Sequence, residues 1–238
     1  MNIKVSVVGA SGRMGKLALE LIDAAQDLSL HSALDSKSNF SETDGADVIF
    51  DVTRLEVSAQ VVQHALISGV AVVVGTSGWS SSKLAELESE VSKVAGTAVV
   101  IPNFSVGSML ATRFAAEAAK HFSSIEIVEA HHANKVDSPS GTAIRTAELI
   151  SKSRANTPLI VGADQEARGQ IVAGVPVHSL RLSGVSAKQD VLLGGESELL
   201  TISHETTSVY AYSAGILASI RFAAANKGLF VGLETVLA

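Results

Sequence analysis

Short apolar runs and segments with helical apolar spacing alternate along the N-terminal half of the chain. The runs predict strands at residues 3–8, 30–34, 48–50, 70–74 and 98–101. Apolar residues at helical spacing lie around Leu17, after the first run, and around Leu87, before the last. Residues 71–74 are apolar at every position, which is typical of a strand covered on both faces. This alternation predicts an α/β fold with a doubly wound parallel sheet.

The pattern changes after Asn103. A helical segment around Phe114 leads into residues 125–129, which alternate between apolar and polar side chains as a half-exposed strand does. Further alternating runs, with no strong helical pattern between them, are found at residues 175–182, 191–193 and 199–203. They predict a second domain of α+β type with a mixed or antiparallel sheet. Residues 151–174 are polar with little periodicity, so we expect a long loop there, whereas residues 214–225 return to helical spacing.

The composition narrows the possible classes of function. The 238 residues carry a formal net charge of −6 and contain no long run of Lys or Arg, so nucleic acid is not an expected partner. The chain has no cysteine, which excludes disulfides and thiolate metal sites. No segment approaches the ~18 apolar residues of a membrane helix, and the N-terminal apolar run is too short for a signal peptide. We therefore expect a cytoplasmic protein with no membrane partner.

A glycine-rich turn follows the first predicted strand. Gly9, Gly12 and Gly15 lie where this strand ends and a helix begins. Such glycines permit a sharp turn and the close approach of a pyrophosphate to the helix N-terminus. A carboxylate such as Asp35, at the end of the second strand, can accept hydrogen bonds from the adenosine ribose. The turn therefore predicts a dinucleotide site, with a glycine-rich turn that binds no ligand as the alternative.

Asp35 also bears on the choice of dinucleotide. A 2′-phosphate about 4 Å from this carboxylate would be repelled by about 1 kcal/mol in water, and more at a lower dielectric. Ser36 rather than an arginine follows Asp35, although Lys37 and Arg13 could compensate. We predict that NADH serves at least as well as NADPH.

The second half of the chain contains a short basic cluster. His131, His132 and Lys135 place three potential cations within five residues. Residues 140–142, Ser-Gly-Thr, then open a predicted helix, where hydroxyl and N–H groups can bind a second anion. Two separate anion sites suit a small dicarboxylate. A lysine or histidine beside the substrate can also supply the proton that must accompany hydride addition.

Each residue of this cluster also has a structural interpretation. Neighbouring strand residues point to opposite faces, so one of the two histidines could be packed in the core. Lys135 could be merely solvated, and a metal site would lack a third ligand, so no metal is predicted. The other histidines have no comparable setting; they are His31, His64, His121, His178 and His204, of which His178 is the first to test.

Together these motifs resemble those of one enzyme family. The glycine turn is joined by Asp-Val-Thr-Arg at residues 51–54, Gly-Thr-Ser-Gly at 75–78 and Asn-Phe-Ser-Val-Gly at 103–107. The most specific block is His-His-x-x-Lys-x-Asp-x-Pro-Ser-Gly-Thr-Ala at residues 131–143. Nearly from end to end, the chain is similar to the 4-hydroxy-tetrahydrodipicolinate reductases, also called dihydrodipicolinate reductases. Two departures are Ser77, where the family usually has threonine, and a short connection between the second strand and Asp47.

The resemblance implies the architecture of the protein. It implies a Rossmann-type dinucleotide-binding domain formed by residues 1–104 and completed by residues 214–238. It also implies a substrate-binding and oligomerisation domain, residues 105–213, in a homotetramer. With the substrate expected between the domains, residues 103–107 are one expected hinge for domain closure.

The resemblance also implies an activity and a set of site residues. The activity is hydride transfer from NADH or NADPH to a small cyclic dicarboxylate, in the diaminopimelate route to lysine. The residues implied in cofactor binding are Gly9, Ala10, Ser11, Gly12, Arg13, Met14, Asp35, Gly75, Thr76, Ser77, Ile101, Pro102, Asn103 and Phe104. His131 matches the family's proton donor or acceptor and Lys135 its proton donor. The residues implied in holding the substrate carboxylates are His132, Gly141 and Thr142.

Two other functions are compatible with a dinucleotide fold. One is another NAD(P)-dependent dehydrogenase of amino-acid metabolism, of the aspartate or homoserine type. The other is a dinucleotide-sensing regulator without chemistry of its own, which would require a module for binding DNA or a partner protein. No helix-turn-helix with a basic recognition face is visible in the sequence, which counts against the regulator.

Overall fold

The computed structural model describes residues 2–154, 159–163 and 165–238. The chain divides into two compact units, one formed by residues 1–106 with 209–238 and the other by residues 107–208. The boundaries expected from the sequence were 104/105 and 213/214. The functional roles given to the two domains stay predictions.

The elements are numbered in chain order. The helices are α1 (Arg13–Ala24), α2 (Leu55–Ser68), α3 (Ser81–Val94), α4 (Val106–Ala118), α5 (Gly141–Ser153), α6 (Ser213–Ala225) and α7 (Leu233–Val236). The strands are β1 (Ile3–Val8), β2 (Leu28–Leu34), β3 (Val48–Asp51), β4 (Ala71–Val74), β5 (Thr97–Val100), β6 (Ser124–His131), β7 (Gln170–Val172), β8 (Val175–Arg181), β9 (Ala187–Gly194), β10 (Leu199–Thr206) and β11 (Gly228–Val231).

The first unit is built on the parallel sheet that the sequence predicted. Its strand order is β11-β5-β4-β3-β1-β2, and every neighbouring pair is parallel. β3, β4 and β5 are buried at every position, which explains why they are apolar except for Asp51 at the end of β3 and Thr97 at the start of β5. The doubly wound α/β prediction is therefore confirmed. The C-terminal strand β11, which was not predicted from the sequence, pairs with β5 at the edge of this sheet.

The second unit contains a mixed five-stranded sheet with the order β10-β9-β6-β8-β7. β6 and β8 run parallel, whereas the other three pairs are antiparallel, which confirms the predicted mixed sheet. Alternate residues of β6, such as Ile125 and Ile127, pack in a buried cluster with Ala143, Ala147 and Ile150 of α5. One face of the sheet therefore packs against this helix.

We expected a long loop at residues 151–174. This prediction was wrong at both ends of the segment, because each end contains regular structure. α5 continues to Ser153, and β7 pairs with β8 through a tight turn at Ala173 and Gly174, both at positive φ. A three-residue strand is too short to show the alternation from which strands are predicted. Residues 155–158 and 164 of this segment lie outside the described residues.

None of the helices in the described part of the chain combines the length and the apolar character that a membrane span requires.

Candidate functional site

The loops that carry the expected cofactor residues meet at one edge of the parallel sheet. Parallel strands have their carboxyl ends at the same edge, so the loops after β1, β2, β3, β4 and β5 all lie along it. β2 and β3, the next two strands in the chain, lie on opposite sides of β1 in this sheet, so the strand order reverses at β1. Ligands of doubly wound sheets bind at such a reversal of strand order.

The glycine turn after β1 is tight because α1 approaches it closely. A Cβ on Gly15 would lie 2.2 Å from the carbonyl oxygen of Gly9, a distance that no side chain allows. Gly9 has a φ of +91°, and its N–H and that of Ala10 both donate to the Leu34 carbonyl at 3.0 Å. Gly12 caps α1 without a side chain, and the first turn of the helix contains no acidic residue. The helix N-terminus is therefore suited to an anion.

Asp35 is an exposed carboxylate held in a fixed turn directly after β2. Its Oδ1 accepts the Lys37 N–H at 2.8 Å and the Ser38 hydroxyl at 3.3 Å. The Leu34 carbonyl, which accepts the N–H groups of the glycine turn, belongs to the residue directly before Asp35. Asp35 therefore lies next to the glycine turn, and its role in binding a ribose stays a prediction.

The loops after β4 and β5 contain both buried and exposed residues at this edge of the sheet. Gly75 packs against the Phe104 ring so closely that a Cβ would lie 2.6 Å from it. Ile101 and Phe104 are buried, so their side chains belong to the core of the unit. Ser77 and Pro102 are exposed. Ile101 and Phe104 therefore support the edge from within, and the exposed residues lie at its surface.

A buried carboxylate at the end of β3 links two of these loops and was not assigned from the sequence. Asp51 accepts the Thr53 hydroxyl at 2.6 Å and the Thr76 hydroxyl at 3.2 Å on its two oxygens. The pKa of Asp51 is raised because burial, which raises it, outweighs the hydrogen bonds that Asp51 accepts, which lower it. Its position directly after an apolar strand was the available sequence signal, but that position alone does not reveal the second partner, Thr76.

The basic cluster lies in the second unit at the end of β6. His131 is the last residue of the strand, and its Nδ1 lies 2.5 Å from Oε2 of the buried Glu129. Lys135 follows in a turn in which its N–H donates to the His132 carbonyl at 3.0 Å. Its Nζ lies 2.8 Å from both carboxylate oxygens of Asp137, which holds the pKa of Asp137 below its usual value. His131 and Lys135 are therefore each paired with a carboxylate.

The pKa of His131 is lowered. Burial is the largest cause, and the charges of Lys135 and Arg181 act in the same direction, whereas Glu129 opposes them. The influence of Lys135 means that the lysine and the imidazole share one electrostatic environment. At neutral pH this environment favours the neutral imidazole.

The helix start after the cluster leaves room for a ligand. Ser140 caps α5 through its hydroxyl, which accepts the Ala143 N–H at 3.2 Å. A Cβ built on Gly141 would have no atom within 4 Å, so packing inside the protein does not require glycine there. Thr142, the next residue, is half-buried. This open helix N-terminus lies beside a basic loop, at the place where the sequence predicts a second anion site; binding of an anion there stays a prediction.

The structure separates His178 from this cluster. His178 is the register partner of Val128, so it lies on the sheet face opposite to Glu129 and His131. There its Nε2 lies 2.7 Å from Oε2 of Glu126. In the described residues, no group of three or more His, Asp or Glu side chains is arranged to hold a metal ion.

Comparisons with known proteins show the family to which the chain belongs. Residues 3–104 match the family model "Dihydrodipicolinate reductase, N-terminus", and residues 107–237 match "Dihydrodipicolinate reductase, C-terminus". The 4-hydroxy-tetrahydrodipicolinate reductase of Clavibacter michiganensis subsp. michiganensis is 52% identical over 240 residues, covering 100% of this chain and 87% of the relative. That of Streptomyces griseus subsp. griseus is 42% identical, covering 99% of this chain and 98% of the relative.

A solved structure is similar over the same length. The dipicolinate-bound dihydrodipicolinate reductase from Paenisporosarcina sp. TG-14 has a TM-score of 0.83 and 30% identity, covering 99% of each chain. An engineered D-amino acid dehydrogenase bound to NADP+ is only 15% identical, with a TM-score of 0.59, and so shares the fold alone. The matched family models and the identity to full-length relatives lead to one conclusion: this chain belongs to the dihydrodipicolinate reductase family.

Proposed function

We propose that this chain reduces 4-hydroxy-tetrahydrodipicolinate to tetrahydrodipicolinate with NADH or NADPH, in the diaminopimelate route to lysine. The observation that carries the proposal is the basic loop with His131, His132 and Lys135 beside the open N-terminus of α5 at Gly141. Two cationic or amide-rich sites close in sequence suit a ring with two carboxylates. The Paenisporosarcina relative was solved with dipicolinate, which is such a ring. Family membership favours this reaction over an aspartate or homoserine dehydrogenase and over a regulator.

The residues at the carboxyl edge of the parallel sheet fit a dinucleotide. In this assignment the N–H groups at the start of α1 bind the pyrophosphate, because the helix is capped by Gly12, which has no side chain, and its first turn contains no acidic residue. The exposed carboxylate of Asp35 accepts the ribose hydroxyls. The loops after β4 and β5 line the nicotinamide, with Gly75, Thr76 and Ser77 from one and residues 101–104 from the other. Ile101 and Phe104 contribute through their backbone, because their side chains are buried. NADH or NADPH, when bound, supplies the hydride.

The residues of the second unit hold the substrate and provide the proton. His132, the Gly141 N–H and Thr142 bind the two carboxylates. Reduction adds a hydride and a proton and releases water, so one proton donor is required. We assign this role to Lys135, and His131, whose side chain is partly exposed, can exchange a proton with solvent. Binding of a dianion beside Lys135 also competes with its ion pair to Asp137.

We also propose that the protein is a cytoplasmic homotetramer. The sheet face opposite to α5 carries the partly exposed Val128 and Leu192 and the 44%-exposed Leu180. Partly exposed apolar residues on a sheet face are suited to contact with a second copy. NADH, NADPH and the biosynthetic substrate are all available in the cytoplasm.

Replacement of Lys135 tests the proposed chemistry. We expect Lys135→Ala to lower kcat by about 10²-fold or more, which is the usual contribution of a positioned proton donor. The dissociation constant for NADH should stay within about two-fold, because the dinucleotide residues belong to the other unit. Lys152→Ala, at the exposed end of α5, is the matched control and should behave as the wild type. An unchanged kcat in Lys135→Ala would remove this lysine from the mechanism.

A further inference from the structure

Beneath the basic loop lies a buried carboxylate that carries no role in the proposed chemistry. Glu129 is 0% exposed and lies two residues before His131, on the same face of β6. Burial by itself would raise the pKa of Glu129, but hydrogen bonds from Arg181, Ser179 and His131 together hold it below its ordinary value. A fully buried side chain is therefore kept ionised, which requires compensating partners.

Arg181 is the main partner of Glu129. It lies on β8, where it is the register partner of His131. Its Nη1 donates to Oε2 of Glu129 and its Nη2 to Oε1, each at 3.0 Å, so the guanidinium holds the carboxylate at both oxygens. The Ser140 N–H, at the start of α5, adds a bond of 3.2 Å to Oε1. These contacts fix the carboxylate from two different elements.

Oε2 also contacts His131. An ionised carboxylate can only accept hydrogen bonds, so the Nδ1 that lies 2.5 Å away must carry the proton. In the neutral imidazole this leaves Nε2 as the atom without a proton. Glu129 therefore selects one tautomer of His131 and fixes the orientation of its ring.

Arg181 also reaches the loop that carries Lys135. Its Nη2 donates to the Asp137 backbone carbonyl at 2.7 Å, in addition to its bond to Glu129. Asp137 is the residue whose carboxylate pairs with Lys135. One guanidinium thus connects the support of His131 with the support of Lys135.

We propose that Glu129 and Arg181 are positioning residues that hold His131 in its Nδ1–H tautomer and the Lys135 loop in its reactive arrangement. The proposal rests on the proposed function for the roles of His131 and Lys135. The geometric part, the tautomer of His131, is independent of any substrate. Among the described residues, the charged groups around the ring are Glu129 on β6, Arg181 on β8, and Lys135 and Asp137 in the loop.

The competing interpretation is an ion pair that only joins β6 to β8. On that interpretation the pair contributes only to packing and does not determine which nitrogen of the neighbouring imidazole carries the proton. On that interpretation, loss of Glu129 lowers stability but leaves the protonation of the His131 ring unchanged. The two interpretations therefore differ in a property that can be observed directly.

Nitrogen NMR of the protein labelled with ¹⁵N-histidine tests the proposal without substrate, and the signals of His131 are identified by their loss in His131→Gln. We expect the wild type to have Nδ1 protonated and Nε2 bare at neutral pH. In Glu129→Gln we expect the other tautomer, with the proton on Nε2 and none on Nδ1. Arg181 donates at both positions, but the Ser140 N–H is a fixed donor at the Oε1 position, whereas the imidazole can move its proton from Nδ1 to Nε2. The side-chain oxygen of Gln is therefore favoured at the Oε1 position, and its NH₂ would face Nδ1. Loss of the negative charge should also lower the pKa of His131 further, because Glu129 is the group that raises it.

The chain contains a matched control on the opposite face of the same strand. Glu126 also contacts a histidine, His178, and an arginine, Arg168. Glu126→Gln should change the signals of His178 and leave those of His131 as in the wild type. A wild-type His131 protonated at Nε2, or a Glu129→Gln protein in which the tautomer is unchanged, would overturn the proposal.

A second variant provides a kinetic readout that does not depend on the folding of Glu129→Gln. Arg181→Lys keeps a positive charge but cannot bind both oxygens of Glu129 and the Asp137 carbonyl together. We expect kcat to fall by about 10²-fold with the dissociation constant for NADH unchanged, and the pH profile of kcat to shift. An unchanged kcat and pH profile would contradict the proposal. If the wild type does not reduce the substrate but His131 has the expected tautomer, only the proposed function fails.

Discussion

Two glycines in similar positions near helix starts differ in what surrounds them. Gly15 lies in the first turn of α1, where a Cβ would lie 2.2 Å from the Gly9 carbonyl oxygen and 2.7 Å from the Ala10 Cα. Gly141 opens α5, where a Cβ would have no neighbour within 4 Å. The first glycine is therefore required by the packing of the protein, whereas the second leaves space that a ligand can use.

This difference predicts opposite results for the same substitution. Gly15→Ala should lower the free energy of unfolding by about 2 kcal/mol or more and weaken NADH binding, because the backbone must move. Gly141→Ala should change that free energy by less than about 1 kcal/mol but raise KM for the dicarboxylate. Denaturant unfolding and steady-state kinetics measure both. A stable Gly15→Ala protein with normal NADH binding would contradict this interpretation of the turn.

At the scale of elements, the C-terminal segment completes the first unit. α6 packs so closely on the loop after β5 that a Cβ on Gly215 would lie 2.0 Å from the Phe104 carbonyl oxygen. β11 then pairs with β5 over four residues, Gly228 to Val231. By contrast, the ion pair between Arg221 and Asp27 is about half-exposed at both side chains. Backbone pairing and close packing, rather than this ion pair, hold the segment in place.

We therefore expect two changes in this segment to differ in size. Deletion of residues 227–238 removes β11 and α7 and exposes the edge of β5, so it should abolish cooperative unfolding of the first unit or reduce its stability severely. Arg221→Ala should cost less than about 1 kcal/mol, as exposed ion pairs usually do. Unfolding in urea followed by circular dichroism compares the two. Equal losses of stability would show that β11 contributes little to the sheet.

The elements also show what the sequence could and could not predict. β3, β4 and β5 are predictable because complete burial makes nearly all of their positions apolar. α2 was not singled out, since its N-cap residue Arg54 makes no side-chain cap and gives no start signal. His131 and Lys135 lie in one short run and were found together. The contact of Glu129 with Arg181 spans 52 residues and depends on the parallel pairing of β6 with β8, which no local pattern reveals.

At the scale of the whole molecule, the proposed tetramer depends on the open face of the second sheet. Leu180→Glu places a charge on this face at a residue that is already 44% exposed, so the subunit itself should fold. We expect light scattering after size-exclusion chromatography to give about four times the chain mass of 24.6 kDa for the wild type and a smaller mass for the variant. Ile67→Glu, at a 78%-exposed position on α2, is the control. A tetramer that survives Leu180→Glu would exclude this face as the contact.

The most direct measurement of the proposed function is turnover by the purified wild-type protein. Enzymatically generated 4-hydroxy-tetrahydrodipicolinate is added with NADH or NADPH, and the loss of the reduced nicotinamide absorbance is followed. We predict substrate-dependent consumption of the cofactor, with kcat/KM for NADH at least equal to that for NADPH because of the Asp35 carboxylate. A protein that binds NADH but consumes neither cofactor would contradict the proposed reaction, and a large advantage for NADPH would contradict the role of Asp35.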